Sequence, residues 1–149
     1  MVLEDYYLEH IVLCLSDGLL AQCGIDLDTH RGEIASGNLS SLRGCPFVLG
    51  SAEDIGGRGL LRSSGVSPVS KATSENVETL LALCEQGVGA CFCPENLLHT
   101  ALSPAQLAHL HILPLCPEAS YPICFGYLSR SYPWSVLSEF IRIAREQTA

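Results

Sequence analysis

Positive charge is scarce in this 149-residue chain. Eight Lys and Arg stand against sixteen Asp and Glu, a formal net charge of −8 at pH 7 that repels phosphate backbones and disfavours direct contact with nucleic acid. Charge of either sign is sparse at 16% of residues. Apolar residues reach 48% and mean hydropathy is +0.28, which excludes a disordered chain. Long hydrophobic runs are missing too: the longest, such as Leu80 to Cys84, fall far short of the roughly 18 residues that span a bilayer. No basic segment precedes an apolar stretch at the N-terminus, so neither a membrane span nor a signal peptide is read. Repeats, low-complexity tracts and linkers are absent, and the length suits one domain with its own core. A high apolar fraction with so few charges also suggests surface intended for a neighbour.

Cysteine is abundant. Eight occur (Cys14, Cys23, Cys45, Cys84, Cys91, Cys93, Cys116 and Cys124) in a chain with ample core and no secretion signal, so reduced thiols are expected rather than a disulfide scaffold. Cys14, Cys84, Cys91, Cys93 and Cys124 lie inside apolar runs, where a free thiol packs as a small hydrophobe. The sharper alternative is a metal site built from Cys91-x-Cys93 with His99, or from His109-x-His111 with Cys116. No matching second pair has zinc-site spacing, so no metal is expected.

Along the chain, His10–Leu15 suits a strand buried on both faces and followed by a turn at Ser16-Asp17-Gly18. Residues 24–38 lack a sustained period and read as an irregular surface segment. A helical turn within Leu39–Gly44 leads to a second buried strand, Cys45–Gly50, then a glycine-rich loop through Gly59 and a short helix around Leu60-Leu61-Arg62 that stops at Ser63-Ser64-Gly65. A third strand, Val66–Ala72, precedes a cap at Thr73-Ser74-Glu75 and a helix whose Val77, Leu80, Leu81, Cys84 and Val88 share one face, with Gly87 as a left-handed terminator. A fourth strand, Val88–Cys93, is stopped by Pro94. A helix from Leu97 to Leu110 broken at Ser103-Pro104 and a strand over His111–Leu115 follow. Tyr121–Leu128 is a further strand, turned at Ser129-Arg130-Ser131, and an amphipathic helix from about Pro133 to Glu146 carries the stripe Val136, Leu137, Phe140, Ile141 and Ala144, which needs a partner surface. Strands alternating with helices are the signature of a parallel, doubly wound α/β sheet.

Gly87-x-Gly89 closes a helix and opens a strand, the reverse of a dinucleotide fingerprint, and Gly56-Gly57-x-Gly59 lacks the Lys-Ser/Thr pair of a P-loop. What survives is a cradle for a small carboxylate: backbone N–H groups of the glycine loop with the hydroxyls of Ser51, Thr73 and Ser74 at a helix N-terminus. Ordinary capping explains the same residues. No nucleophile elbow, HExxH or catalytic-cysteine context appears, Glu53-Asp54 fits loop solvation, and His30 and His109 read as surface residues without a partner.

The stretch Ser70–Leu98 (SKATSENVETLLALCEQGVGACFCPENLL) resembles the effector-binding, or substrate-binding, domain of LysR-type transcriptional regulators: a strand, a Ser/Thr-capped helix, Gly87-x-Gly89, an apolar strand, then Pro94. The entering strand Glu9–Cys14, the segment Leu39–Gly50 and the closing strand and helix fit in order, so the resemblance covers nearly the whole chain. It implies a Rossmann-like, periplasmic-binding-protein-like (type 2) fold. Subdomain II would occupy about residues 15–120, with crossover strands at His10–Cys14 and Pro122–Tyr127. Residues 1–14 and 121–149 would then hold the crossovers and the C-terminal strand and helix of subdomain I, the rest of which, like the helix-turn-helix, would lie outside this chain.

The implied function is ligand sensing without catalysis, in the cytoplasm, with no cofactor and no membrane. A small effector, expected to be a carboxylate, would sit in a cleft between subdomains, a homo-oligomer would form, and DNA would be met only through the helix-turn-helix. The matched wall is Gly50, Ser51 and Ala52 after the second strand, Thr73, Ser74 and Asn76 at the helix start, and Pro94. One wall alone is expected to bind such acids poorly. With only Arg58 beside two acids in the loop, an anion would depend on backbone donors. Cys91 and Cys93 depart from the usual aliphatics. Two other readings stay open: a free-standing binding protein of the periplasmic type, and a small α/β enzyme with Cys91 or Cys93 as nucleophile.

Overall fold

The computed structural model describes residues 1–50, 57–129 and 134–148. Along them run β1 (Val2–Glu9), β2 (Ile11–Ser16), α1 (Asp17–Cys23), α2 (Leu27–Ala35), β3 (Pro46–Leu49), α3 (Gly57–Ser63), β4 (Val69–Thr73), α4 (Val77–Glu85), β5 (Cys91–Pro94), α5 (Glu95–Ala101), α6 (Pro104–Leu107), β6 (Leu110–Pro114), β7 (Tyr121–Tyr127) and α7 (Ser135–Thr148), with 3-10 turns at Ser40–Leu42 and Pro117–Ala119. Two units result, His10–Ser120 and the pairing of Met1–Glu9 with Tyr121–Ala149.

In the larger unit β2 is buried at all six positions, as a strand covered on both faces must be. Val12 and Cys14 face a core formed with Leu80, Leu81 and Cys84 of α4, Cys91 and Cys93 of β5, and Leu98 of α5. Alternation turns Ile11, Leu13 and Leu15 to the opposite face, as it does Phe47 and Phe92, whose rings stack at 5.9 Å. β3 and β4 are parallel, and a parallel bridge at Phe47 and Ala90 joins them to β5, giving the order β4-β3-β5-β2-β6. The sheet is nevertheless mixed: β2 runs antiparallel to both β5 and β6. A continuous apolar run satisfies burial in either direction, so its pattern carries no information about polarity.

The bridge needs glycine. An added Cβ at Gly89 would lie 2.7 Å from the Phe47 carbonyl carbon and 2.9 Å from its Cα. Gly87 meets a different demand, closing α4 at φ +78°.

Several expectations are corrected. Instead of a turn, α1 begins at once after β2, because Ser16 caps it by accepting from the Leu19 amide at 3.3 Å. The supposedly irregular segment contains α2, capped by Asp26, which accepts from the Asp28 amide at 3.1 Å. Only Leu27 and Ile34 of α2 are buried, too few apolar anchors to mark a helical period. The third strand starts at Val69 rather than Val66, and β4 is an exposed edge carrying Lys71, which discourages pairing with another chain. The break at Ser103-Pro104 is present, between α5 and α6, with a capping box between Ser103 and Gln106, but the helical stretch starts at Glu95 and ends at Leu107, and Leu110 already opens β6.

In the smaller unit β1, a strand absent from the sequence reading, pairs antiparallel with β7. Tyr6 packs against Phe125 with the rings tilted and their centroids 4.7 Å apart, its hydroxyl donates to the Ala144 carbonyl at 3.1 Å, and Phe125 meets Phe140 edge-on at 6.0 Å. The stripe of α7 is covered only in part: Ile141 is buried, whereas Val136 and Phe140 remain 77% and 59% exposed. The start of that helix at Pro133, and the turn from Arg130, lie outside the described residues.

Gly89→Ala is expected to destabilise the chain by about 1–3 kcal/mol in urea unfolding, because the clash is with backbone and not with a flexible side chain. Gly59→Ala, in α3 with open space around it, should be neutral or slightly stabilising.

Candidate functional site

Parallel strands deliver their C-terminal ends to one edge of a sheet. Leu49 at the end of β3 is the register partner of Thr73 at the end of β4, and the Ser74 amide donates to the Leu49 carbonyl at 3.1 Å. β5, parallel to β3, ends at Pro94. Gly50, Thr73, Ser74 and Pro94 therefore belong to this edge, and α4 begins there. Ser51 and Ala52 lie outside the described residues, as do Glu53 and Asp54.

The details differ from the expected cradle. The cap of α4 is Asn76 rather than Thr73-Ser74-Glu75: its Oδ1 accepts from the Thr79 amide at 2.9 Å and from the Thr79 hydroxyl at 3.3 Å. Ser74 is half-buried and its Oγ already accepts from the Asn76 amide at 3.1 Å, so it shapes the turn into the helix. Thr73 and Asn76 are exposed, and Gly50 and Pro94 are half-buried. Asn76 with Glu78 in the first turn gives a helix start whose early amides have no intrahelical partner. Arg58 of α3 is the cation whose role here escaped sequence reasoning. Its Nη2 donates to the Gly50 carbonyl at 2.7 Å, bracing the end of β3, while its Nε is buried without a partner.

The alternative chemistries do not assemble. Among the described residues no group of three or more His, Cys, Asp and Glu is arranged to hold a metal ion. His111 Nε2 lies 2.6 Å from Asp17 Oδ1 and His109 Nδ1 lies 3.8 Å from Asp17 Oδ2. His30 Nδ1 lies 3.3 Å from Glu33 Oε2, so His30 and His109 both have carboxylate partners, contrary to expectation. The distances pair each ring with a neighbouring helical acid, a partner that no apolar period announces.

All eight thiols are free. Cys14, Cys84, Cys91 and Cys93 are buried as expected; Cys124 is half-buried and donates to Asp5 Oδ1 at 3.2 Å, because β7 is half-exposed beside β1. Hydrogen bonds of Cys91 with Cys14, Cys84 and Cys93, reinforced by burial, hold its thiol well above the ordinary pKa. Burial, with Cys23 beside it, pushes the Cys45 thiol up to about 12.

An open α/β sheet whose strand ends meet at a helix start defines a ligand-binding class of architecture. Its family is specific: the family model described as LysR substrate binding domain matches residues 2–149, and the chain belongs to that family. Its fold is that of LysR substrate-binding domains of the periplasmic-binding-protein-like type. Similar solved structures include the CcmR regulatory domain of Synechocystis PCC6803 in complex with 2-PG, at TM-score 0.71 and 11% identity, covering 99% of this chain and 66% of that one. The effector binding domain of QuiR in complex with shikimate has TM-score 0.66 and 12% identity, covering 98% and 64%. Full-length CbnR complexed with its target DNA has TM-score 0.58 and 16% identity, covering 99% and 46%. This chain thus spans from about half to two thirds of the length of these relatives. No curated protein matches the sequence. No helix among the described residues is long and apolar enough to cross a membrane.

Asn76→Ala should cost about 1 kcal/mol in urea unfolding, whereas Asn76→Asp should retain most of the cap. Stability should also fall at high pH. Below pH 9.0 the folded and unfolded thiols are both protonated. Above it the unfolded chain loses protons that Cys45 holds until about pH 12 and that Cys91 also retains, so unfolding is favoured progressively. Urea midpoints measured from pH 7 to pH 10.5 should drop beyond pH 9, and the drop should shrink in Cys91→Ala.

Proposed function

We propose that this chain is a ligand-sensing part of a LysR-type transcriptional regulator and that the edge formed by Gly50, Thr73, Ser74, Asn76 and Pro94, with Ser51 and Ala52 next in sequence after Gly50, receives a small carboxylate effector. The observation that carries the reading is the meeting of the β3, β4 and β5 ends beside the capped start of α4 in a chain of this family. Oriented amides and the positive end of the α4 dipole suit an anion, and Arg58, committed to the Gly50 carbonyl, braces the end of β3 instead of acting as the main counter-charge. QuiR carries shikimate, itself a carboxylate, in its effector binding domain, which supports the ligand class.

On this reading about residues 15–120 are subdomain II, and residues 1–14 and 121–149 are the crossovers and part of subdomain I; the compact unit His10–Ser120 then takes in the first crossover, His10–Cys14. The protein acts in the cytoplasm without catalysis or cofactor and self-associates. DNA contact falls to a helix-turn-helix outside these residues, in keeping with the net charge of −8. Burial of Cys91 and Cys93 speaks against the cysteine-enzyme alternative.

Because Thr73 and Asn76 are exposed, this edge binds weakly on its own. An amide NMR titration with shikimate and with a neutral methyl-ester analogue tests the reading. The acid should shift Gly50, Thr73, Ser74 and Asn76 in fast exchange and the ester should not. Equal shifts from both, or shifts confined to other surfaces, would refute it.

A further inference from the structure

Three thiol environments resist oxidation. Cys14, Cys84, Cys91 and Cys93 are each 1% exposed or less, so even the Cys14–Cys93 pair, with sulfurs 3.6 Å apart, is closed to a reagent in solution. Cys124 is held protonated by its hydrogen bond to Asp5, and Cys116 by desolvation and then by Glu118. Neither of these two faces a second sulfur among the described residues.

Cys23 and Cys45 differ. Cys23 is the last residue of α1 and half-buried. Cys45 is 2% exposed, immediately before β3, and their sulfurs lie 3.8 Å apart. A glycine flanks each cysteine: Gly24 at φ +65° and Gly44 at φ +84°, both with open space around them. The sulfurs are already in contact at 3.8 Å, so side-chain rotation with a small shift of the turns at Gly24 and Gly44 brings them to the ~2.05 Å of a bond.

We propose that Cys23 and Cys45 form a reversible modification site, closing to an intramolecular disulfide when the folded chain meets a hydroperoxide. Access assigns the order. The Cys23 thiolate attacks the O–O bond, takes one oxygen to become a sulfenic acid, and releases the remaining alkoxide, or hydroxide from hydrogen peroxide, which picks up the thiol proton. The Cys45 sulfur then attacks the Cys23 sulfur and expels hydroxide, which leaves as water with the Cys45 proton. Two thiols are oxidised by two electrons, and one peroxide is reduced to water and an alcohol, or to two waters. The elevated Cys45 pKa slows the second step, so the sulfenic acid lives long enough to be trapped. The site stands apart from the proposed effector edge, since Cys45 precedes β3 and Gly50 follows it.

The folded wild-type chain treated with hydrogen peroxide, alkylated in denaturant and digested without reduction provides the test. A Cys23–Cys45 linked peptide is expected, with two of the eight thiols protected, a raised Tm, and reversal of both by dithiothreitol. With dimedone present, Cys45→Ser should accumulate the adduct on Cys23 and form no intramolecular link. Fully alkylated Cys45 in the oxidised wild type, a Cys23–Cys23 link between chains, or links confined to Cys14, Cys91 and Cys93 would each overturn the proposal.

Discussion

The larger unit depends on one close approach of backbone to backbone. Ala90 donates to the Pro46 carbonyl at 2.8 Å and accepts from the Val48 amide at 2.9 Å, and these two hydrogen bonds join β3 and β4 to the ladder β5-β2-β6. They form only because Gly89 puts no Cβ against Phe47. The α4 terminator at Gly87 lies two residues earlier, so a single short segment ends a helix and docks a strand. Through that join the ends of β3 and β4 come to the same edge as the end of β5, and the candidate wall exists because of it.

Interior thiols are a second consequence of close packing. α4 lies over β2, β3 and β5, and Cys84 of the helix meets Cys14, Cys91 and Cys93 of the strands. The Cys84 thiol donates to the Cys14 carbonyl at 3.2 Å, a modest satisfied contact in a region otherwise held by apolar burial. The smaller unit behaves differently. Its two strands and one helix bury Ile141 but leave Leu3, Leu8, Trp134, Val136, Phe140 and Ile143 exposed, so much of the apolar surplus implied by composition resides there.

Much of this was readable from the chain, and for definite reasons. β2 and β3 are buried on both faces and show continuous apolar runs; α4 has one buried face and shows its period; Gly87 and Pro94 mark ends that side-chain chemistry dictates. α1 and α2 leave little periodicity in the sequence, because their stability comes from the caps Ser16 and Asp26 and from a few anchors in the core. At the candidate site, residue types and order were legible, but the division of labour was not. Ser74 spends its oxygen on the turn, Asn76 caps, and Arg58 braces Gly50 from a helix eight residues on.

The sequence by itself determined the alternation of strand and helix, the burial of four cysteines, the acidic balance and the family resemblance, because each is written in local pattern or composition. Tertiary structure alone decided that β2 runs antiparallel, that Gly89 must be glycine, that Asp17 faces His109 and His111, and that Cys23 comes to Cys45. Each of these brings together residues distant in the chain, and no local period encodes which strand lies beside which or in what direction it runs.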